Sequence, residues 1–331
     1  MTETFNALQT VEEGDGFATR LVQRTLDDLP PGDVLIRVQW SSLNYKDALS
    51  ASGNRGVTRS YPHTPGIDAA GVVVTDSSDT FAEGTPVLVT GYDLGMNTAG
   101  GYGEYIRVPA GWVLKLPAGL DARVAMLHGT AGLTAGLCVQ ALLDAGVTPA
   151  DGEVLVTGAT GGVGSFAVAL LAHLGFQVVA GSGKAEAADW LTQLGATALI
   201  DREAMLAGAG KPVLKPRWAG AVDTLGGEPL ANAVKGTRYG GAVACCGLAA
   251  STDLPLTVFP FILRNVRLLG VDSVEQPLSA KAAVWERLAT DWRIPVLESL
   301  CAAETDLAGL EPWFGTILQG GVRGRVLVKV G

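Results

Sequence analysis

The segment Val156–Gly164 reads VTGATGGVG, a glycine-rich turn that separates two apolar runs. The run EVLVTG (153–158) is predicted as a strand, and GVGSFAVALLAHLG (162–175) as a helix that is apolar on nearly every side. Between a strand and a helix, Gly161 and Gly162 let the backbone approach a pyrophosphate, and the helix N-terminus supplies aligned N–H donors. A glycine turn that binds no ligand is the alternative. The context favours a phosphate-binding turn in a dinucleotide-binding fold.

Strands and helices alternate along the chain after this turn. Strands are predicted at QVVAG (177–181), ATALID (196–201), GAVDTL (220–225), GAVACCG (241–247) and VRLLGVDS (266–273), and helices at 185–195 and 228–235. Such alternation is typical of an α/β fold with a doubly wound parallel sheet of the Rossmann type.

The regions on either side of this alternation have a different pattern. Residues 1–127 contain short apolar runs bounded by Gly, Pro and Asp, which predict a compact mainly-β domain. The last run, GRVLVKV (324–330), is a strand of the same kind. A chain of 331 residues favours two domains. The predicted organisation is a mainly-β domain at 1–127, a Rossmann domain at 128–274 and a return to the first domain at 275–331.

Composition and charge exclude several classes of protein. The chain is 48% hydrophobic and carries a formal net charge of −9, which argues against nucleic-acid or membrane-surface binding because both partners are anionic. No apolar run is expected to span a membrane, because the longest candidate, Val163–Val179, is interrupted by polar residues. The N-terminus lacks the pattern of a secretory signal. The spacing of the cysteines favours a reduced, cytoplasmic protein rather than a disulfide framework or a zinc ribbon. They are Cys138, Cys245, Cys246 and Cys301.

The residues after the second strand of the Rossmann domain indicate which dinucleotide binds. An acid at this point accepts hydrogen bonds from the ribose 2′-OH and repels a 2′-phosphate. The chain instead offers Ser182-Gly183-Lys184, and Arg202 after the next strand can bind phosphate as a fork. Asp201, beside Arg202, argues against a 2′-phosphate at this point. The alternative is that Lys184 and Arg202 are only solvated surface charges. NADPH is the predicted cofactor.

A β domain, a Rossmann domain with GATGGVG and a return to the first domain resemble the medium-chain dehydrogenase/reductase superfamily, whose first domain is GroES-like. The chain is most similar to a zinc-free, quinone-oxidoreductase-like branch, the bacterial NADPH-dependent acryloyl-CoA reductases. The resemblance extends from about residue 5 to 330. Its motifs are SSLNYKDAL (41–49), YPHTPGIDAAGVV (61–73), HGTAGLTAGLCVQAL (128–142), VTGATGGVGSFAVALL (156–171) and FPFILRNVRLLGVDSV (259–274).

The resemblance also implies that no metal is bound. Zinc-dependent alcohol dehydrogenases of the superfamily carry a Cys ligand near the position of Asn44, and a His-Glu pair where this chain has Ile67-Asp68. No Cys precedes residue 138, and the three histidines occur in unlike contexts. Because catalytic zinc needs Cys, His or carboxylate ligands around one open position, we expect no zinc site.

The activity implied by the resemblance is reduction of the C=C bond of acryloyl-CoA, or of a similar short 2-enoyl-CoA, to propanoyl-CoA or its homologue. Hydride attack at Cβ places negative charge on the thioester oxygen, which needs hydrogen-bond donors and then a proton at Cα. NADPH:quinone oxidoreduction starts from the same hydride donor and remains open, as does a non-enzymatic nucleotide-binding role. A homodimer is implied, with the strand around LLGVDS as a candidate contact.

The resemblance places Tyr45 near the nicotinamide, as a proton donor or as a residue that positions the cofactor. Asn44 is expected either to hydrogen-bond substrate or ribose, or to stabilise a turn. Asp47 and Thr130 have structural and functional interpretations of equal weight. The implied cofactor contacts are Tyr45, Thr160, Gly161, Gly162, Val163, Ser182, Gly183, Lys184, Arg202, Leu248, Ile262 and Ser273. The cations expected to hold the phosphates of CoA, unless they are merely solvated, are Arg55, Arg59, Arg264 and Arg267.

Overall fold

The computed structural model describes residues 4–331, and the chain folds into two compact units. Unit 1 comprises Met1–Thr130, Ser273–Ala289 and Cys301–Gly331, and unit 2 comprises Ala131–Asp272 and Thr290–Leu300.

The strands are β1 (Thr4–Glu13), β2 (Gly16–Thr25), β3 (Val34–Ser42), β4 (Asp68–Asp76), β5 (Pro86–Thr90), β6 (Tyr105–Val108), β7 (Leu114–Lys115), β8 (Glu153–Thr157), β9 (Gln177–Gly181), β10 (Ala196–Ile200), β11 (Trp218–Asp223), β12 (Thr237–Cys245), β13 (Arg267–Gly270), β14 (Cys301–Asp306) and β15 (Arg325–Lys329). The α-helices are α1 (Tyr45–Ala51), α2 (Ala122–Asp144), α3 (Gly162–His173), α4 (Ala188–Gln193), α5 (Arg202–Leu206), α6 (Gly227–Gly236), α7 (Phe259–Arg264), α8 (Leu278–Ala289) and α9 (Glu311–Leu318).

Unit 2 is built on a six-stranded parallel sheet in the order β10-β9-β8-β11-β12-β13. Strands β8, β9 and β11 are buried along almost their whole length, as expected where a parallel sheet is covered on both faces. The strand order reverses between β8 and β11, at the topological switch point where such sheets bind ligands. The predicted Rossmann fold is confirmed.

Unit 1 contains a sheet in the order β14-β15-β3-β4-β5-β7, and β6 also pairs with β3. The pairs are antiparallel except for β14 with β15. The inward side chains of β3, among them Val34, Ile36 and Val38, pack in the main core of this unit. The predicted terminal strand is β15, which joins the sheet by pairing Leu327 with Ser42.

The hairpin of β1 and β2 was not predicted from the sequence. Its register runs from Thr4 opposite Thr25 to Glu13 opposite Gly16. No residue of strand β2 is buried, and its sequence lacks the apolar alternation that marks a half-buried strand.

Helix α2 differs from the expectation that no segment is long and apolar enough to cross a membrane. By length and composition it meets that criterion, but 72% of its most apolar window is buried inside the protein, as is common for core helices. Gly129 interrupts the helix with φ 51° and ψ −156°. The residue that precedes the second part of the helix is thus Gly129, and Thr130 is the first residue of that part.

The segment Thr290–Leu300 belongs to unit 2, whereas the sequence pattern predicts that residues 275–331 belong to the first domain. Three of its apolar side chains, Trp292, Ile294 and Leu300, are buried. His173 Nε2 lies 3.1 Å from the Asp291 carbonyl, and Trp190 Nε1 donates to the Ser299 carbonyl at 2.9 Å. These tertiary contacts have no sequence signal comparable to a glycine turn.

Candidate active site

The glycine turn after β8 has a backbone that only glycine can adopt. Gly158 has φ +60°, and a Cβ at this position would lie 2.2 Å from Thr224 Oγ1. A Cβ on Gly164 would lie 2.2 Å from the carbonyl oxygen of Gly158. That carbonyl also accepts a hydrogen bond from Gly161 N at 3.0 Å. The turn is therefore a tight and specified structure rather than a flexible glycine linker.

The turn leads into α3 at the switch point of the sheet. Gly161 is the N-cap residue of α3 and has no side chain that could cap the N–H groups of the first turn. Ala159 N bonds the Gly181 carbonyl at 3.1 Å, which holds the turn against the end of β9. Thr160, Gly162 and Val163 complete the loop that resemblance assigns to the cofactor. A glycine cradle at a helix N-terminus fits a dinucleotide pyrophosphate.

The tip after β9 is ordered by its own backbone contacts. Ser182 N donates to the Ile200 carbonyl at 3.0 Å, and Lys184 N donates to Ser182 Oγ at 3.0 Å. Gly183 is exposed, and Lys184 is partly exposed. The ends of β9 and β10 are thus adjacent, and Ser182 bonds the residue that stands two positions before Arg202, the first residue of α5.

The carboxylate of Asp201, whose charge argues against a 2′-phosphate, is occupied as the cap of α5. Its Oδ1 accepts from Ala204 N at 2.8 Å, so it is the N-cap of that helix. Arg202 follows it and is exposed. The Asp201 carboxylate is thus occupied by its bond to the helix, whereas the neighbouring Arg202 is exposed on the surface near the tip after β9.

The other predicted cofactor residues are exposed or partly exposed. Leu248 is 64% exposed after β12, and Ile262 is 68% exposed on α7. Ser273 lies in unit 1, in a segment fixed by two bonds to the Val274 carbonyl, from Tyr92 N at 3.1 Å and from Lys281 Nζ at 2.8 Å. The structure fixes the positions of these residues within their own units.

A buried polar network lies in unit 1 beside α1, and its centre is the fully buried carboxylate of Asp68. This carboxylate accepts from Ser42 Oγ at 2.6 Å and from Asn44 Nδ2 at 2.8 Å. Thr130 donates to it twice, from N at 2.9 Å and from Oγ1 at 2.5 Å. Thr130, the last residue of the first segment of unit 1, is therefore tied to the beginning of β4.

Arg325, at the start of β15, supplies the positive charge of this network. Its Nη2 donates to Ser42 Oγ at 2.7 Å and lies 3.7 Å from Asp68 Oδ2. Its Nη1 donates to the Leu43 carbonyl at 3.1 Å and to Asn44 Oδ1 at 3.2 Å. Burial lowers the pKa of Arg325, although Asp68 opposes this shift. Every partner of the guanidinium named above lies within unit 1.

Asp47 is the second buried carboxylate, and it shapes the start of α1. It accepts from Asn44 N at 2.7 Å, from Ile67 N at 2.8 Å and from the Tyr102 hydroxyl at 2.9 Å. Burial, with a further contribution from the charge of Asp68, raises the pKa of Asp47 to about 7. Burial and the neighbouring Asp47 also raise the pKa of Tyr102 well above its usual value. Asp47 is therefore a structural acceptor for three donors, one of which closes a capping box on α1.

The network gives Asn44 and Tyr45 different surroundings. The amide of Asn44 is 8% exposed; its Nδ2 bonds Asp68 and its Oδ1 accepts from Arg325. Tyr45, the next residue, begins α1 with 49% of its surface exposed. Asn44 is thus engaged by protein partners, and Tyr45 is accessible to a ligand. Sequence reasoning missed Arg325 and Tyr102, because isolated polar residues in β-type segments give no signal until the fold brings them together.

The positions that hold zinc in related dehydrogenases do not fit a metal in this chain. Asn44 and Asp68 are hydrogen-bonded to each other and to neighbouring donors. The space beside them is filled, since a Cβ on Gly129 would lie 2.5 Å from Asp68 Oδ2 and 2.8 Å from Arg325 Nη2. Within residues 4–331, no group of three or more His, Cys, Asp or Glu side chains is placed to hold a metal ion.

Of the arginines predicted to bind CoA, the two in unit 1 belong to one exposed loop. Arg55 forms an ion pair with Glu12, lies 5.0 Å over the Tyr61 ring and donates to the Arg59 carbonyl at 2.7 Å. Arg59 is exposed. Arg55 therefore organises the loop that presents Arg59.

The two predicted CoA-binding arginines of unit 2 bond backbone carbonyls. Arg264 donates from Nη1 to Lys235 and from Nη2 to Leu214, both at 2.8 Å. Arg267 Nη2 donates to the Gly240 carbonyl at 2.6 Å. These contacts use both ends of the partly buried Arg264 guanidinium to pack α7, whereas Arg267 is exposed and bonds through one nitrogen only.

Comparison with known proteins places both halves of the chain. Residues 30–118 match the family model described as the alcohol dehydrogenase GroES-like domain, and residues 162–290 match the one described as zinc-binding dehydrogenase. An Escherichia coli protein named "Probable acrylyl-CoA reductase AcuI" is 49% identical over 97% of this chain and 98% of its own length.

Two further relatives have solved structures. The crystal structure of the yhdH oxidoreductase from Salmonella enterica in complex with NADP has a TM-score of 0.96 and 46% identity, covering 98% of this chain and 100% of that one. A Bacillus subtilis protein named "Putative quinone oxidoreductase YhfP" is 44% identical over the full length of both chains. Its structure with NAD bound has a TM-score of 0.97 and covers 99% of this chain and 100% of that one.

Proposed function

The chain belongs to the medium-chain dehydrogenase/reductase superfamily, and from this premise we propose that it reduces the C=C bond of a short 2-enoyl-CoA with NADPH, converting acryloyl-CoA to propanoyl-CoA. The observation that carries the proposal is the tip after β9. Ser182 N bonds the Ile200 carbonyl two residues before the exposed Arg202, Lys184 N bonds Ser182 Oγ, and the carboxylate of Asp201 is used as a helix cap. The acyl-CoA acceptor is supported by the full-length similarity to an E. coli protein named for that activity.

The cofactor would be held along the carboxyl end of the sheet in unit 2. The backbone of Gly161, Gly162 and Val163 would face the pyrophosphate, and Ser182, Lys184 and Arg202 the 2′-phosphate. The relative with NAD bound makes NADH the alternative cofactor. When bound, NADPH supplies a hydride for the β-carbon of the acceptor.

The residues of unit 1 would orient the reactants and supply the proton. Tyr45 presents a phenol from the first position of α1, which suits it to orient the cofactor or to donate a proton at Cα. Asp47 and Asp68 would act through Asn44, which is the N-cap residue of α1 and is fixed by bonds to both of them. This arrangement positions Tyr45 without bringing either buried acid to the reacting atoms.

The chemistry of the zinc-equivalent positions also favours C=C reduction over alcohol oxidation. In related enzymes a metal stabilises the alkoxide, a task for which the hydrogen-bonded Asn44–Asp68–Arg325 network offers no open ligand position. Charge on a thioester oxygen needs only fixed hydrogen-bond donors.

Product analysis tests the proposal. NADPH deuterated at the transferred position should yield propanoyl-CoA with one deuterium at Cβ, and one NADPH should be oxidised per product. Reaction in D2O with unlabelled NADPH should place one deuterium at Cα. NADPH oxidation without propanoyl-CoA would contradict the proposed reaction.

Quinone reduction is the second candidate function, supported by the naming of the Bacillus subtilis relative. We assign the 2-enoyl-CoA activity first, with Arg59 and Arg267 as the retained candidates for the CoA phosphates and Arg55 as the support of the Arg59 loop. A cytoplasmic homodimer that contacts neither membrane nor nucleic acid completes the proposal. The edge position of β13 supports self-association, because its outer backbone groups face no further strand of the sheet.

A further inference from the structure

A third buried carboxylate, Asp223, lies in unit 2 at the carboxyl end of β11 and is completely removed from solvent. It accepts from Thr157 Oγ1 at 2.6 Å and from Gly226 N at 2.8 Å. Thr157 is the last residue of β8 and immediately precedes the glycine turn. A single side chain thus joins the ends of the two strands that flank the switch point of the sheet.

Thr157 and Thr224 extend this contact to the glycine turn. Thr157 Oγ1 also accepts from Thr224 N at 3.1 Å, and Thr224 Oγ1 donates to the Thr157 carbonyl at 3.1 Å. Thr224 Oγ1 occupies the space that a Cβ on Gly158 would need. The carboxylate therefore fixes Thr157 and, through Thr224, the direction in which the chain enters the turn at Gly158.

The backbone around Asp223 extends the contact to the segment that carries Leu248. The Asp223 carbonyl accepts from Cys246 N at 3.0 Å, and the Leu225 carbonyl accepts from Ala250 N at 2.8 Å. A Cβ on Gly247 would lie 2.3 Å from the Thr224 carbonyl oxygen, so the two segments touch closely. Residues 223–226 consequently lie between the pyrophosphate turn and the segment predicted to meet the nicotinamide.

We infer that Asp223 is a positioning residue for the dinucleotide, which sets the glycine turn and the 246–251 segment in register with each other. The inference rests on the proposed function, since it concerns how NADPH is held. A dinucleotide must contact both segments at once, so a shift of about 1 Å in either would weaken binding about tenfold or more.

The ionisation of Asp223 is consistent with a functional position. Burial raises its pKa to about 6, although the bonds from Thr157 and Gly226 oppose this shift. The carboxyl is thus easier to protonate in the folded protein than in the unfolded chain, so its charge lowers stability at neutral pH. Buried carboxylates whose charge lowers the stability of the folded protein are common at functional sites.

The test compares NADPH dissociation constants, measured by fluorescence titration, with melting temperatures of the nucleotide-free protein. Asp223→Asn and Thr157→Val should each raise the dissociation constant for NADPH about tenfold. Asp223→Asn should do so at pH 7.5 with an unchanged or higher melting temperature. Thr157→Ser, which keeps the hydroxyl, should restore affinity.

Thr237→Val is the matched control. Thr237 is fully buried at the start of β12, and its Oγ1 bonds the Ala233 carbonyl at 2.7 Å. This variant should lower the melting temperature and leave the NADPH dissociation constant unchanged. Should Thr157→Val not fold, the partly exposed Thr224→Val must show the same rise in dissociation constant.

Folded variants of Asp223 and Thr157, or of Thr224, with wild-type NADPH affinity would overturn the inference. A lower melting temperature with unchanged affinity would show a purely structural role and overturn it equally. A wild-type protein that binds no NADPH would instead refute the proposed function on which the inference rests. The two failures are therefore distinguishable.

Discussion

Arg325 Nη2 lies 3.7 Å from Asp68 Oδ2, and both side chains are almost completely removed from water. Ser42 Oγ bridges them, accepting from the guanidinium and donating to the carboxylate. A buried ion pair adds little stability by itself, because desolvation offsets most of the attraction, but losing one partner is costly. The pair encloses Asn44, and so its main consequence is a fixed start for α1 and for Tyr45.

The close packing of this pair is testable at Gly129. Gly129→Ala would place a Cβ against Asp68 Oδ2 at 2.5 Å and impose a positive φ on alanine. Gly175→Ala is the matched control, with φ +84° and no atom within 4 Å of the added Cβ. Urea denaturation should show Gly129→Ala to be less stable than Gly175→Ala by about 2 kcal/mol or more. Equal losses of stability in the two variants would mean that Asp68 and Arg325 can shift to accommodate the added methyl group.

The pKa of Asp47 predicts a dependence of stability on pH. This acid titrates at about 7 in the folded protein and near its ordinary value of 3.8 when unfolded. Between these values the folded state binds the extra proton, so the contribution of Asp47 to the unfolding free energy falls as pH rises.

The measurement is the unfolding free energy of wild type minus that of Asp47→Asn, taken from pH 5 to pH 8. The difference should decrease by up to about 1.4 kcal/mol per pH unit below pH 7 and then level off. A difference that stays constant over this range would contradict the assignment.

Much of unit 2 is predictable because its signals are local. The apolar runs of parallel strands and the glycine turn each lie within a few consecutive residues, so β8, β9 and α3 match their predicted positions closely. The network of unit 1 is different in kind. Arg325 meets Leu43 across 282 residues of sequence, and this contact depends on the register of β15 against β3. Asp68 was noted only as the residue in place of a zinc-associated acid.

Cofactor choice is testable at the tip after β9. The double variant Lys184→Ala with Arg202→Ala should raise the KM for NADPH at least tenfold and change the KM for NADH about twofold or less, since a charge-assisted bond contributes about 1.5–3 kcal/mol. Lys215→Ala, which removes an exposed cation elsewhere in unit 2, should change neither. Equal changes for the two cofactors would place the 2′-phosphate elsewhere.

The role of the Tyr45 hydroxyl is separable from cofactor binding. If Tyr45 donates the proton at Cα, Tyr45→Phe should lower kcat by about 10²-fold or more with little change in the dissociation constant for NADPH. Tyr239→Phe, on a tyrosine that is 77% exposed in unit 2, is the control for loss of a phenol. A wild-type kcat for Tyr45→Phe would assign the proton to water and leave Tyr45 a positioning role at most.

The most direct measurement is kcat/KM for acryloyl-CoA, crotonyl-CoA and a simple quinone, each with NADPH at saturation. We expect the highest value for acryloyl-CoA, a lower value for crotonyl-CoA and a much lower one for the quinone. A quinone value far above both thioesters would contradict the central claim of 2-enoyl-CoA reduction.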